Sequence, residues 1–517
     1  MALHLLSWRY LVTFTFVAYV FSVYVRRYVK WKKVQSLGGE SPRVRTRFIF
    51  GLDFPVHSTL AIVNDRAWEF WEWMYEHTGT SSSGTGSYTC ELHILDNARV
   101  VFTADPENIK TVLATQFQDF GKGTQFHEEW KDFLGDSIFT TDGQLWHNSR
   151  QLLRPMFVRE KVADLPLIET HIRKLMSLIG PGDGKMVMLN KLFFRFSLDA
   201  STHFLFGHSV GSLDTEQSAF ATAFDEVQRV QSLEGRLGPF RHFHSRRSFY
   251  AGLKAVEAFI EPFITDALAM SPAELESKLS RADTFIHALA RFTRDRKVMR
   301  DQLFALLLAG RDTTASTLSW LFLELAKNPR VVDKLRAEIV EFLGRDGRPP
   351  SYQDIKDMKY LNHTINETLR LYPVVPFNVR ASLTDTSLPH GGGADGMSPV
   401  GCPKDTPVGY STLSVQRRRD LYPPVSPSFP YDPHDWVPDR WATWTPKPWN
   451  FIPFNGGPRI CIGQQFAMVE MGYTIVRILQ EFDQIIDYGN ERTMHADIVL
   501  TPAKGVKVGF VKRASHT

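Results

Sequence analysis

Beyond residue 140 the apolar positions recur mostly every third or fourth residue, the spacing of a buried helix face. The runs GQLWHNSRQLLRPMF, HIRKLMSLI, AFATAFDEVQRVQ, MRDQLFALLLAGRDTTASTLSWLFLELAK, RVVDKLRAEIVEFLG, MKYLNHTINETLRLY and QQFAMVEMGYTIVRILQEF therefore predict helices. Strand-like alternation is confined to ELHILDNARVVFT, TPVGYSTLSV and KGVKVGFVK, each bounded by Gly, Pro or Asn. The expected fold is mainly α with small β-sheets at its edge. No internal linker or repeat divides residues 50–517, so they are expected to form one large domain.

The N-terminus follows a different pattern. Tyr10 to Val25 carries no charge, and the apolar run extends upstream if Arg9 snorkels, which makes it long enough to cross a bilayer. Arg26, Arg27, Lys30, Lys32, Lys33, Arg43, Arg45 and Arg47 follow, opposed only by Glu40. A cleavable signal peptide would place its basic residues first and end on small ones, so an anchor over residues 1–25 and a basic juxtamembrane linker over 26–49 are expected. The positive-inside rule then keeps residues 50–517 cytosolic.

Composition narrows the chemistry. A net charge of +4 on 517 residues gives no basis for nucleic-acid binding. Cys90, Cys402 and Cys461 are odd in number and widely spaced, which argues against a disulfide framework and a CxxC-type zinc site and points to a reducing compartment. GGGADG, Gly391 to Gly396, matches a dinucleotide fingerprint but lacks the flanking strand and helix, so it reads as a flexible loop. Reducing equivalents would therefore come from another protein. The glycosylation-like sequences at Asn362 and Asn366 fall within a predicted helix on the cytosolic side and carry no weight.

A lone cysteine among apolar residues is ordinarily a small buried hydrophobe. Cys461 has an unusual frame, because Phe454, Gly457, Arg459, Cys461 and Gly463 together form FxxGxRxCxG. On these residues the chain resembles the cytochromes P-450, haem-thiolate monooxygenases, and the resemblance implies haem b held by Cys461. Thiolate ligation favours O–O cleavage. A helix starting near Gln464 and the charge of Arg459 would keep the sulfur ionised. The resemblance also sets Arg459 on a haem propionate and Phe454 beside the sulfur.

AGRDTT, Ala309 to Thr314, lies mid-helix, where glycine costs about 1 kcal/mol relative to alanine. The resemblance makes this the distal helix, with Gly310 leaving room for oxygen and the Asp312–Thr313 pair relaying protons. A blander reading is one solvated stripe, because Arg300 and Arg311, and likewise Asp301 and Asp312, are eleven residues apart. Glu367 and Arg370 form ExxR, a pattern that Glu226 and Arg229 also satisfy. Arg440 in PDRW would complete the family's buried Glu-Arg-Arg cluster bracing the thiolate loop. Trp146 and Arg150 match the family's propionate-holding WxxxR, as Trp436 and Arg440 do by spacing alone, but only the earlier copy precedes the distal helix. Arg380 is a further propionate candidate.

More narrowly, LLAGRDTTASTLSW and FNGGPRICIGQQFA resemble the fungal branch that hydroxylates n-alkanes and fatty acids, some of whose members serve secondary metabolism. The stretch after the anchor lacks the Pro-rich hinge common in microsomal relatives. The resemblance implies O2, an NADPH-cytochrome P-450 reductase, an apolar chain-like substrate and a single-pass endoplasmic reticulum location in contact with membrane lipid. The resemblance puts Leu306, Leu307, Leu308, Ala309, Val374, Val375 and Phe377 near the haem, with at least half expected to be plain core. A haem-thiolate isomerase or dehydratase needs no oxygen, and the intact Asp312–Thr313 pair argues against it. A non-catalytic haem sensor or carrier would bring a signalling module, for which no motif is present.

Overall fold

The structure is a computed structural model that describes residues 2–44, 46, 51, 53–76, 78, 88–94, 98–157, 164–215, 218–237, 244–278, 284–344 and 347–512. Two units divide the chain: one comprises residues 1–58, 70–123 and 378–411, the other 59–69, 124–377 and 412–517.

The first unit is built on a five-stranded sheet. Thr89–Ile94 (β1) and Ala98–Thr103 (β2) form the antiparallel pair expected from ELHILDNARVVFT, with Cys90 opposite Phe102. Phe120–Gly121 (β3), Asn378–Ser382 (β5) and Pro407–Tyr410 (β8) complete the order β1-β2-β8-β5-β3. Only the first half of TPVGYSTLSV is strand. Thr412–Val415 turns into a short helix whose Thr412 Oγ1 donates to Val375 O. GGGADG also differs from the flexible loop expected, because Gly391 and Gly392 close strand β6 (Thr386–Gly392), which pairs with β7 (Ser398–Cys402). At Gly391, φ is +124° and a Cβ would come within 2.6 Å of Thr89, so both backbone conformation and crowding require glycine.

The helix α1 (Ala2–Ser36) runs unbroken through the expected anchor. Among the described residues, however, no helix is long and apolar enough to cross a membrane. The charge-free run ends at Arg26, and Tyr, Thr and Ser dilute its hydropathy. After α1 the chain docks on β1: Ser41 N donates to Glu91 Oε2 at 3.1 Å, and Val44 N donates to Glu91 O at 2.9 Å. Arg99 neutralises the same buried carboxylate at 2.6 Å.

The second unit is helical, as predicted. Its principal helices are Gly143–Leu153 (α2), Leu165–Ile179 (α3), Leu189–Phe206 (α4), Ala219–Leu237 (α5), Arg247–Ala269 (α6), Arg296–Lys327 (α7), Pro329–Leu343 (α8), Lys359–Leu371 (α9) and Gln464–Glu481 (α10). Asp295 caps α7 by accepting from Lys297 N and Val298 N, and burial around most of the circumference makes α7 the core helix. Asp183–Met188 (β4), Gln484–Asp487 (β9) and Lys507–Val511 (β12) form a three-stranded sheet, and Met494–Ala496 (β10) pairs with Leu500–Pro502 (β11).

Candidate active site

Cys461 sits two residues before the N-cap of α10, on a turn closed by its own N–H donating to Phe454 O at 2.9 Å. Gly457, at φ +65°, starts the turn with a conformation that suits glycine. No side chain caps α10, so its first amides stay available to a negative charge. The three cysteines separate sharply. Cys90 and Cys402 are buried and their thiols are pushed up to about 12, chiefly by that burial, whereas Cys461 is exposed. Protein packed around the Cys461 sulfur still pushes its thiol up, opposed by a hydrogen bond from Gly463 N–H and by the charge of Arg150. A coordinated metal would ionise the thiol outright.

The cation acting on Cys461 is thus Arg150 of α2 and not, as the sequence suggested, Arg459. Arg150 Nη1 donates to Ile460 O at 3.0 Å. Arg459 turns away to Asp142 Oδ1 at 2.5 Å and Thr141 O at 2.8 Å, with its guanidinium 4.7 Å from the Trp146 ring centroid. Trp146, Arg150, Arg154 and Gly457 line a cavity of about 460 Å³. An accessible thiol at an uncapped helix start, beside an aromatic and cationic recess, fits an iron porphyrin with its two propionates. Phe454 and Ile460 line a separate cavity of about 470 Å³ with Asn366 and Gln464. Arg380 lies in the first unit, buried on β5 and bonded to Asn378 Oδ1 at 3.0 Å and Val379 O at 2.9 Å.

The α7 motif is not a solvated stripe. Arg311 and Asp312 are both 4% exposed, and Asp301 is 2% exposed. Burial pushes the Asp312 carboxyl up to about 6, against the pull of Arg311. Thr313 Oγ1 donates to Ala309 O at 2.7 Å. Gly310 has a reason that the sequence did not reveal: a Cβ there would come within 2.9 Å of Ser201 Oγ on α4. Leu307 is fully buried core, Leu306 and Val374 nearly so, while Leu308, Ala309, Val375 and Phe377 retain accessible surface.

The two ExxR pairs diverge in the fold. Glu226 and Arg229 form a partly exposed pair on α5, whereas Glu367 and Arg370 are wholly buried at 2.8 Å. Arg440 Nε donates to Glu367 Oε1 at 2.9 Å, Trp441 Nε1 to Oε2 at 2.9 Å and Val437 N to Oε1 at 2.7 Å. Trp436 of the second WxxxR match belongs here too, donating to Thr368 Oγ1 at 3.0 Å. No local motif marked Glu470 of α10, a fully buried acid facing Thr314 whose carboxyl burial pushes up to about 8.

The sequence profile of the cytochrome P-450 family matches residues 91–510. The chain is 44% identical over 502 residues to Cytochrome P-450 monooxygenase pvhE of Talaromyces variabilis, covering 93% of this chain and 91% of that protein. Cytochrome P-450 52A13 of Debaryomyces hansenii is 42% identical over 423 residues, 79% of each chain. Cytochrome P-450 monooxygenase himC of Aspergillus japonicus is 41% identical over 475 residues, covering 89% and 81%.

Proposed function

The chain belongs to the cytochrome P-450 family, oxygen-incorporating enzymes that hold haem through a cysteine thiolate, and from that premise we propose that Cys461 is its iron ligand. The observation carrying the assignment is that Cys461 alone of the three thiols is exposed, directly before an uncapped helix. When bound, the haem supplies the oxygen-activating centre. Trp146, Arg150 and Arg459 would hold its propionates, and we assign Arg380 the same role. Phe454 shapes the turn through its carbonyl. Burial brings Asp312 up to about 6, close enough to neutrality for it to take up and release a proton, and Thr313 presents its hydroxyl one residue further on, so the pair is suited to proton delivery. Glu367, Arg370 and Arg440 brace the segment leading to the thiolate turn.

The substrate we assign is an apolar chain: an alkane, a fatty acid or a secondary metabolite derived from a fatty acid or polyketide. Leu308, Ala309, Val375 and Phe377 offer the accessible apolar surface for it. Electrons come from a separate NADPH-cytochrome P-450 reductase. Membrane association through α1 is supported by apolar side chains exposed around its circumference, including Phe14 at 73% and Phe21 at 66%, followed by Arg26 and Arg27. That surface is suited to contact with lipid, and we assign the body to the cytosolic side of the endoplasmic reticulum, a reading the basic flank supports.

Cys461→Ser tests the central assignment. The variant should lose the strongly red-shifted carbon-monoxide spectrum of the reduced protein, and an unchanged spectrum would remove Cys461 as ligand.

A further inference from the structure

Asp312, the acid assigned to proton delivery, is nearly shielded from solvent: its side chain is 5% exposed. The nearest charge is its neighbour Arg311, with Nη1 3.4 Å from Asp312 Oδ1 and a side chain also 5% exposed. The same nitrogen reaches Asp225 Oδ1 on α5 at 2.5 Å, and Asp225 is 60% exposed. Phe194 of α4 and Phe224 of α5 each lie 5.6 Å from the guanidinium, so Arg311 is held in an aromatic slot. Three charges on two helices thus run from the surface to the buried acid.

We propose that Arg311 is a positioning residue for Asp312 and that Asp225 clamps it from α5, so that the placement of α5 decides whether Asp312 is sealed or meets water. The inference rests on the reading of Asp312 as the delivering acid. The geometry supplies the logic. Removing α5 from α7 would take away the partner of Arg311 and the cover of Asp312 together, because Gln228 of α5 also bonds the acid. An α5 seated over α7 keeps the proton source closed, and a displaced α5 lets it refill.

The other charged groups around α7 do not substitute for this clamp. Asp497, beyond β10, acts on Asp312 only as a like charge. Asp199 of α4 accepts from Ser212 N and Leu213 N, Glu257 of α6 pairs with Arg300, and Glu470 of α10 faces Thr314. Only Arg311 therefore offers a cation to the acid among these neighbours.

The test uses the full-length holoenzyme. The carboxylic C=O infrared band of Asp312, identified by its loss in Asp312→Asn, is titrated in the unmodified enzyme, Arg311→Gln and Arg311→Lys. Removing an opposite charge at this range should raise the midpoint by about one to three pH units in Arg311→Gln, while Arg311→Lys stays close to the parent. Asp225→Asn leaves Arg311 its second carboxylate, Asp312, so the fold should hold, with deuterium uptake outside α5 and α7 unchanged, yet uptake at residues 308–314 should rise by about threefold or more. An unmoved midpoint in Arg311→Gln, or unchanged uptake in Asp225→Asn, would overturn the proposal. If Asp312→Asn keeps full coupling while the Arg311→Gln shift is present, the delivery role of Asp312 falls and its positioning by Arg311 stands.

Discussion

Arg440 Nε donates to Glu367 Oε1 at 2.9 Å, and both side chains are wholly shielded from solvent. This bond ties α9 to the PDRW segment, and Glu367 also takes Arg370 through two further bonds. Deleting one partner strands a buried charge, which costs roughly 3 to 5 kcal/mol. Glu367→Leu should accordingly express with little bound haem and a much lower melting temperature, measured by haem content and calorimetry. Glu226→Leu, the same change at the solvated ExxR pair, should shift stability by no more than about 0.5 kcal/mol.

Gly310→Ala should destabilise by about 1 to 3 kcal/mol through overpacking against Ser201, less about 1 kcal/mol regained from helix propensity. Ser201→Ala in the same chain should restore most of the loss, read from denaturant unfolding as a double-mutant cycle. Turnover that stays impaired once stability returns would assign the glycine to the oxygen side as well.

Thr313→Ala removes the hydroxyl bonded to Ala309 O while leaving α7 intact. Peroxide released per NADPH consumed should rise severalfold and product fall, with Thr313→Ser restoring the parent ratio. Equal stoichiometry in all three proteins would withdraw Thr313 from proton delivery.

Glu470 titrates near 8 in the fold, against a usual 4.5, because burial disfavours its charged form. The unfolded chain therefore releases this proton first as pH rises. The stability associated with the neutral acid is fully present below about 4.5 and is lost as pH climbs through about 8, at up to about 1.4 kcal/mol per pH unit. Glu470→Gln should remove that slope, so urea unfolding should show the variant gaining on the parent between pH 5 and about 8.5. Parallel curves would mean the acid is ionised in the native protein.

Much of the helical architecture was readable because the apolar period is local information. The α7, α9 and α10 patterns needed no knowledge of their neighbours. The helix α6 escaped because Pro262 and Gly252 interrupt its pattern, and its apolar face is rewarded only where it packs. TPVGYSTLSV alternates throughout, yet its second half becomes a helical turn fastened to Val375 O. Propensity set the candidates there, and a tertiary hydrogen bond selected between them.

The resemblance carried by short motifs identified the family, and residue types and spacings singled out Cys461, the acid–alcohol pair on one helix and the carboxylate at Glu367, because each of these is a short pattern dictated by chemistry. Only the tertiary structure decided that Arg150 is the cation acting on Cys461 while Arg459 turns to Asp142, that Gly310 clears Ser201, and that Arg311 bridges Asp312 to Asp225. Those assignments depend on charges and atoms brought together from residues tens to hundreds of positions apart, and distance in space is not encoded by spacing along the chain.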